Sequence, residues 1–166
     1  MNLPPYTIFP TVIGNSITLR QIEPADMNDI IEISYYNAIQ ATSAQQAAAM
    51  QAKINNDYIS GNSIHWGIAN NANNKLVGTC GYYRGFTNKA GELGCVLLAQ
   101  HQGKGFMTLA MQLAINFGFT TMNLKHIWAE TTKDNKNALN LFERLNFFVI
   151  DDVDENSIKL GISKID

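Results

Sequence analysis

Between Glu92 and Leu113 the sequence passes from an apolar run, through the turn Gln102-Gly103-Lys104-Gly105-Phe106-Met107, into a helical repeat of apolar residues. Nothing else in the chain restricts its fold so closely. Gly103 and Gly105 lack a Cβ, so the backbone there can bend sharply and approach another molecule. Gly91 to Leu98, before the turn, reads as a strand; after it Phe106, Leu109, Ala110, Leu113, Ala114 and Phe117 share one helical face. A strand entering a helix through such a turn aims the unpaired N–H groups of the first helical turn into the bend, where the helix dipole favours negative charge. The segment therefore reads as an anion cradle within an α/β fold, with Lys104 either adding a charge at the rim or solvated there; taken alone, a plain strand-to-helix turn with glycines for steric reasons is the alternative. Neither G-x-x-x-x-G-K-[ST] nor the third glycine of G-x-G-x-x-G is present, which sets aside two other phosphate-binding designs.

Around this segment the period alternates between strand and helix. Ser16 to Ile22 reads as a strand; Pro24 and Asp26 mark a helix start, with Met27, Ile30, Ile31 and Ser34 at helical spacing. Ser43 to Tyr58 is rich in Ala, Gln and Met and reads as a helix capped by Ser43, with Met50, Ile54 and Tyr58 as its stripe. A flexible linker is the alternative for this low-complexity stretch. Ile64 to Ala69 and Leu76 to Tyr83 read as an antiparallel hairpin around the Asn70-Asn71-Ala72-Asn73-Asn74 turn. His126 to Thr132 is a further strand, and Asn135 to Leu145 a helix with Ala138, Leu141, Phe142 and Leu145 as its buried stripe. Phe147 to Val153 and Ser157 to Ile162 close the chain as two strands. The expectation is a single α/β domain over residues 1–166, its mixed sheet an antiparallel meander feeding strand–helix–strand crossovers.

Composition bounds the partners. Apolar residues make up 46% and charged residues 16%, a globular balance. A net charge of -2 gives no basic excess for reading phosphate backbones, so no nucleic-acid partner is expected. Cys80 and Cys95 both fall in strand-like runs; a reduced, cytoplasmic chain is the expectation, with a disulfide between adjacent strands left open. Met1-Asn2-Leu3-Pro4-Pro5 lacks the basic start and apolar stretch of a signal peptide, and no apolar run approaches the roughly 20 residues of a bilayer span, so no membrane partner is expected.

The turn does not stand alone. Gln102 to Met107 resembles the acetyl-CoA signature Q/R-x-x-G-x-G/A of the GCN5-related N-acetyltransferases (GNAT), with Met107 where that family usually has Gly or Ala. Gly91-Glu92-Leu93-Gly94-Cys95-Val96-Leu97-Leu98 resembles the family's fourth strand. Asp134 to Ala138 with Leu141 to Phe147 resembles its N-x-x-S/A … L-x-E-K-x-G-F segment. His65-Trp66-Gly67-Ile68 and Leu76 to Gly81 resemble the second and third strands of the RimJ/RimL-type branch. The resemblance covers roughly residues 16 to 149. It implies a mostly antiparallel sheet with splayed central strands, flanked by about four α-helices, and a cytoplasmic N-acetyltransferase that uses acetyl-CoA and no metal. The implied acceptor is a primary amine, as at a protein or peptide N-terminus of the ribosomal-protein type. A small-molecule amine, an antibiotic or a polyamine is the alternative, and a non-catalytic acetyl-CoA-binding sensor is another. A homodimer is in keeping with the family.

The same resemblance implies the site residues. Backbone amides of Gln102, Gly103, Lys104, Gly105, Phe106, Met107 and Thr108 would hold the CoA pyrophosphate. The main chain of Val96, Leu97 and Leu98 would pair with the pantetheine arm, with an oxyanion donor near Leu97. Asn135 would touch the cofactor arm or serve as a plain helix cap. The amine attacks the thioester directly in this family, so a base is needed and a nucleophile is not. Glu92 is the first candidate for that base, ahead of Glu130 and His65. Besides Met107, three positions depart from the pattern. Phe142 replaces a tyrosine acid, Ala138 replaces the branch's serine, and Ile150 replaces its glutamate.

Overall fold

The computed structural model describes residues 1–165. Two short strands, β1 (Val12–Ile13) and β2 (Ile17–Arg20), lead to a small hairpin of β3 (Tyr35–Tyr36) and β4 (Ile39–Gln40). Helix α1 (Ala44–Ile59) follows, then the meander β5 (Ile64–Asn70), β6 (Leu76–Tyr83) and β7 (Ala90–Leu97). The rest alternates: α2 (Phe106–Thr120), β8 (His126–Thr132), α3 (Lys136–Arg144), β9 (Phe148–Asp152) and β10 (Ser157–Ser163). Eight strands form one sheet in the order β1-β2-β5-β6-β7-β8-β10-β9. Every pairing is antiparallel except β7 with β8, and that parallel ladder holds only Ala90–His126, Gly91–Ile127 and Glu92–Trp128. Beyond Glu92 the two central strands part.

Strand alternation sends one set of side chains to each face. Ile64, Trp66, Ile68, Cys80, Tyr82, Leu93 and Leu97 pack against Ala110, Met111, Ala114 and Phe117 of α2, forming the larger core. The buried Tyr82 hydroxyl donates 2.9 Å to the Ala114 carbonyl and fixes α2 to the sheet. On the opposite face a smaller core gathers Met27, Ile30, Ile33, Ala47 and Leu98. α1 begins where its sequence says, the Ser43 hydroxyl accepting from the Gln46 amide at 3.2 Å. The linker alternative for this stretch therefore does not hold.

One expected helix is absent, leaving three α-helices among the described residues rather than about four. Pro24–Asp26 and Ile31–Ile33 are single 3-10 turns. The residues buried there, Met27, Ile30 and Ile33, recur every third position, which is the 3-10 period and not the α period. Two groups already claim the Asp26 carboxylate. Arg20 donates two hydrogen bonds of 2.9 Å to it, and the Glu23 amide donates one of 2.8 Å. This ties the segment to β2.

The β3–β4 hairpin turns on Asn37 (φ 50°) and Ala38 (φ 63°). Asparagine visits the left-handed region readily, whereas a Cβ there costs about 1–2 kcal/mol. Ala38→Gly should therefore raise stability by roughly 0.5–1 kcal/mol after glycine's greater unfolded entropy is deducted, a rise of about 2–4 °C in Tm. A lowered melting temperature would show that the Ala38 methyl supports the hairpin.

Candidate functional site

The parting of β7 and β8 opens a cleft of about 720 Å³ on the α2–α3 side of the sheet. At its floor, β7 from Leu93 to Leu97 has a main-chain flank with no strand beside it. At one end stands the Gly-rich turn. Gly103 (φ 72°) and Gly105 (φ 81°) adopt left-handed backbone, and a Cβ at either would meet nothing within 4 Å. Gly105 is the N-cap of α2 and supplies no side-chain cap. The N–H groups of Phe106, Met107 and Thr108 thus lack an intrahelical acceptor at the mouth of the cleft. That cradle fits the pyrophosphate of a CoA, and the strand flank fits its amide-bearing arm.

Of the cofactor positions read from the sequence, Leu97, Gln102, Gly103, Gly105, Met107, Thr108 and Asn135 line this cleft. The structure does not bring the other four side chains to it. Val96 lines the opposite face, and Leu98 is buried in the smaller core with its amide bonded to the Val77 carbonyl at 2.9 Å. Lys104 donates 2.8 Å to the Gln100 carbonyl at the rim, and Phe106 packs edge-on to His101. Asn135 combines both of its readings: its side-chain oxygen caps α3 by accepting from the Ala138 amide at 3.1 Å, and the residue lines the cleft. Sequence reasoning missed Asn137, Asn140 and Arg144, which also line it. Their spacing along α3, one polar edge beside the Leu141 stripe, is a signal that a helical projection would reveal.

Met107, Ala138 and Phe142 all face this cleft, so three of the four departures from the family pattern fall at the cofactor side. Phe142 is buried against Phe147, their ring centres 5.1 Å apart, and has no hydroxyl to offer. Ile150 lies elsewhere, on the edge strand β9 over Gly161. Cys95 also lines the cleft, directly across from Cys80 in the β6–β7 register, and both thiols are free. Burial pushes the Cys95 thiol well up from its ordinary value, so it is held as a thiol and is a poor nucleophile.

A second cleft, about 890 Å³, opens on the other face of the sheet. It lies between α1, the β3–β4 hairpin and the exposed face of β5–β7, and the sequence reading gave no hint of it beyond Glu92 and His65. Glu92 reaches into it from the last residue pair before the central strands part. The residue is 8% exposed. One carboxylate oxygen accepts from Arg84 at 2.5 Å, while the other, Oε2, is buried with no hydrogen-bond partner. Burial pushes the Glu92 carboxyl up from its ordinary value, and the Arg84 guanidinium pulls against that shift. A carboxylate so placed is a proton acceptor with a vacant lone pair.

The other two base candidates fare less well. His65 shares a 2.6 Å hydrogen bond with the Tyr83 hydroxyl, which occupies one ring nitrogen, and burial drives its pKa down to about 4. An imidazole that weak takes protons poorly near neutral pH. The Tyr83 ring lies against the sheet where Gly81 and Gly94 have no Cβ to displace it. His65 and Tyr83 thus form a neutral polar floor. Glu130 is exposed on β8 and stands opposite Lys159 of β10.

The described residues include no group of three His, Cys, Asp or Glu side chains that could hold a metal ion, and no helix long and apolar enough to cross a membrane. A family model described as an acetyltransferase (GNAT) domain matches residues 16–147. The uncharacterised N-acetyltransferase p20 of Bacillus licheniformis is 30% identical over 145 residues, 82% of each chain. A spermidine N(1)-acetyltransferase of Vibrio cholerae is 22% identical over 139 residues, 81% of this chain and 80% of that one. Among solved structures, a ribosomal-protein-S5-alanine acetyltransferase from Vibrio fischeri shares the fold with a TM-score of 0.76 and 17% identity, over 93% of this chain and 96% of that one.

Proposed function

Because the chain belongs to the GNAT acetyltransferase family and is an acetyl-CoA-dependent N-acetyltransferase, we propose that it acetylates the primary amine of a small molecule seated under the β3–β4 hairpin. The observation that carries this reading is the pair of clefts on opposite faces of one sheet, which approach each other where β7 and β8 part at Glu92. Acetyl-CoA supplies an activated acetyl thioester. The residues around it do the rest. The Gly103–Thr108 amides anchor its diphosphate, the flank of β7 aligns its arm, and Asn135 touches it from α3. Glu92 Oε2 takes the proton from an arriving ammonium. The freed amine forms the N–C bond as the C–S bond breaks, leaving the amide and the CoA thiol. Phe142 offers no acid, so one of the amine's two remaining protons reaches the leaving thiolate directly or through water, and the other stays on the amide nitrogen.

Residues 1–166 act in this reading as one N-acetyltransferase domain. A protein or peptide N-terminus is the second reading, favoured by the RimJ/RimL-type resemblance of β5 and β6. The roof of α1 and the hairpin over the acceptor cleft favours the small molecule, because it leaves room for a chain end only if that end is flexible. A homodimer is supported by the edge strand β9, where Phe148, Val149 and Ile150 are all more than half exposed. Thiol release from acetyl-CoA with a broad panel of amines and short peptides, with products identified by mass, tests the activity. Tight CoA binding without turnover of any amine would instead support a sensor.

A further inference from the structure

We infer that the acceptor is a zwitterionic α-amino acid with an apolar side chain, its ammonium on Glu92 and its carboxylate on Arg84; this rests on the acetyl-transfer reading above. Among the described residues two buried side-chain polar atoms lack a hydrogen-bond partner, Glu92 Oε2 and Ser63 Oγ, and both residues line the same cleft. Leaving such groups unpaired is costly, so their gathering in one cavity marks where a ligand's N–H groups belong. Glu92 accepts only, and an ammonium meets it. The Ser63 hydroxyl both donates and accepts, so it can receive a second ammonium proton or turn to a carboxylate oxygen.

Arg84 supplies the second half of the match. Its guanidinium spends one nitrogen on Glu92 Oε1 at 2.5 Å, and its side chain is 68% exposed, with further donors left for a ligand. A guanidinium fork matches the two oxygens of a carboxylate with parallel N–H donors. Placed beside Glu92, it presents a cation and an anion as immediate neighbours. An α-amino acid carries the complementary anion and cation on one carbon. A simple amine would leave the remaining donors of the guanidinium unused. The third substituent meets Ile33, Met50, Ile54 and Val96, an apolar wall along the cleft. Asp57, the cleft's remaining carboxylate, lies on α1 with that wall.

The test sets leucine, methionine and phenylalanine each beside its methyl ester, its glycyl-extended dipeptide and its decarboxylated amine, with spermidine as a further acceptor. The purified full chain and acetyl-CoA are used, and kcat/KM is measured for each. The free amino acids should exceed their decarboxylated amines by about 30-fold, the worth of a charge-assisted carboxylate contact. Arg84→Leu should collapse that ratio, chiefly by raising KM for the free acids, and Arg84→Lys should restore part of it. The ratio within each variant is the readout, so a general loss of rate in Arg84→Leu does not imitate the result. If the amines, esters, dipeptides or spermidine match or exceed the free acids in the parent chain, the zwitterion inference falls while acetyl transfer stands. If no acceptor in the series is acetylated, both fall.

Discussion

Gly105→Glu should weaken CoA binding by about 10²- to 10³-fold while the chain still folds. A side chain at this position enters the open cleft and not the core, since a Cβ there meets nothing within 4 Å. The new carboxylate would sit on the amides of Phe106 to Thr108, where a diphosphate is expected. Two like charges about 4 Å apart at an effective dielectric near 20 repel by about 4 kcal/mol, which is roughly 10³ in Kd. The left-handed φ of 81° adds about 1–2 kcal/mol of backbone strain for any residue with a Cβ. Gly105→Ala carries that strain without the charge and is the matched control. Calorimetric titration with CoA measures the affinity, and circular dichroism checks the fold. A folded Gly105→Glu chain that binds CoA like its parent would remove this turn from the site.

Glu92→Gln should lower kcat/KM at neutral pH by about 10²-fold, within the usual range for loss of a general base. The deficit should shrink as pH rises, because the acceptor then arrives without its extra proton and needs less help. A mutant-to-parent ratio that stays flat across pH would make Glu92 a structural carboxylate. Stability should move the other way. Burial raises the folded-state pKa of Glu92, so its contribution is fully present below the unfolded carboxylate's range and is lost as pH rises through the folded value. The Gln variant lacks that ionisation, so its melting temperature relative to the parent's should be lowest in acid and rise with pH. Less activity with unimpaired stability separates a functional carboxylate from a packing one.

Most elements were legible because their apolar period was clean. β8 was expected over His126 to Thr132 and is found there, and the ends of α1, β6 and α3 differ from expectation by one residue or none at most positions. The segment from Pro24 to Ser34 misled because Met27, Ile30 and Ile31 fit a helix almost as well as a 3-10 path. The decision lay with Arg20 on another strand, which holds Asp26. The cofactor side was readable because its pieces are local: a turn, the helix it starts and the strand before it. The acceptor side was not. Ser63, Arg84, Glu92, Tyr36 and Asp57 come from five segments, and only the packing of α1 and the β3–β4 hairpin over the sheet makes them neighbours. Arg84 carried no motif at all, yet it sits on the carboxylate that the sequence placed first as base.

The short β7–β8 ladder leaves the middle of the sheet unfinished. Three residue pairs are bonded and the remainder of β7 faces a gap on that side. Amide hydrogens along that flank from Leu93 to Leu97 should therefore exchange with deuterium as though they lay at an outer strand, although β7 is central to the order. A pantetheine arm laid along the flank would make them interior. Deuterium uptake over this stretch would then serve as a gauge of cofactor occupancy that depends on neither acceptor nor turnover.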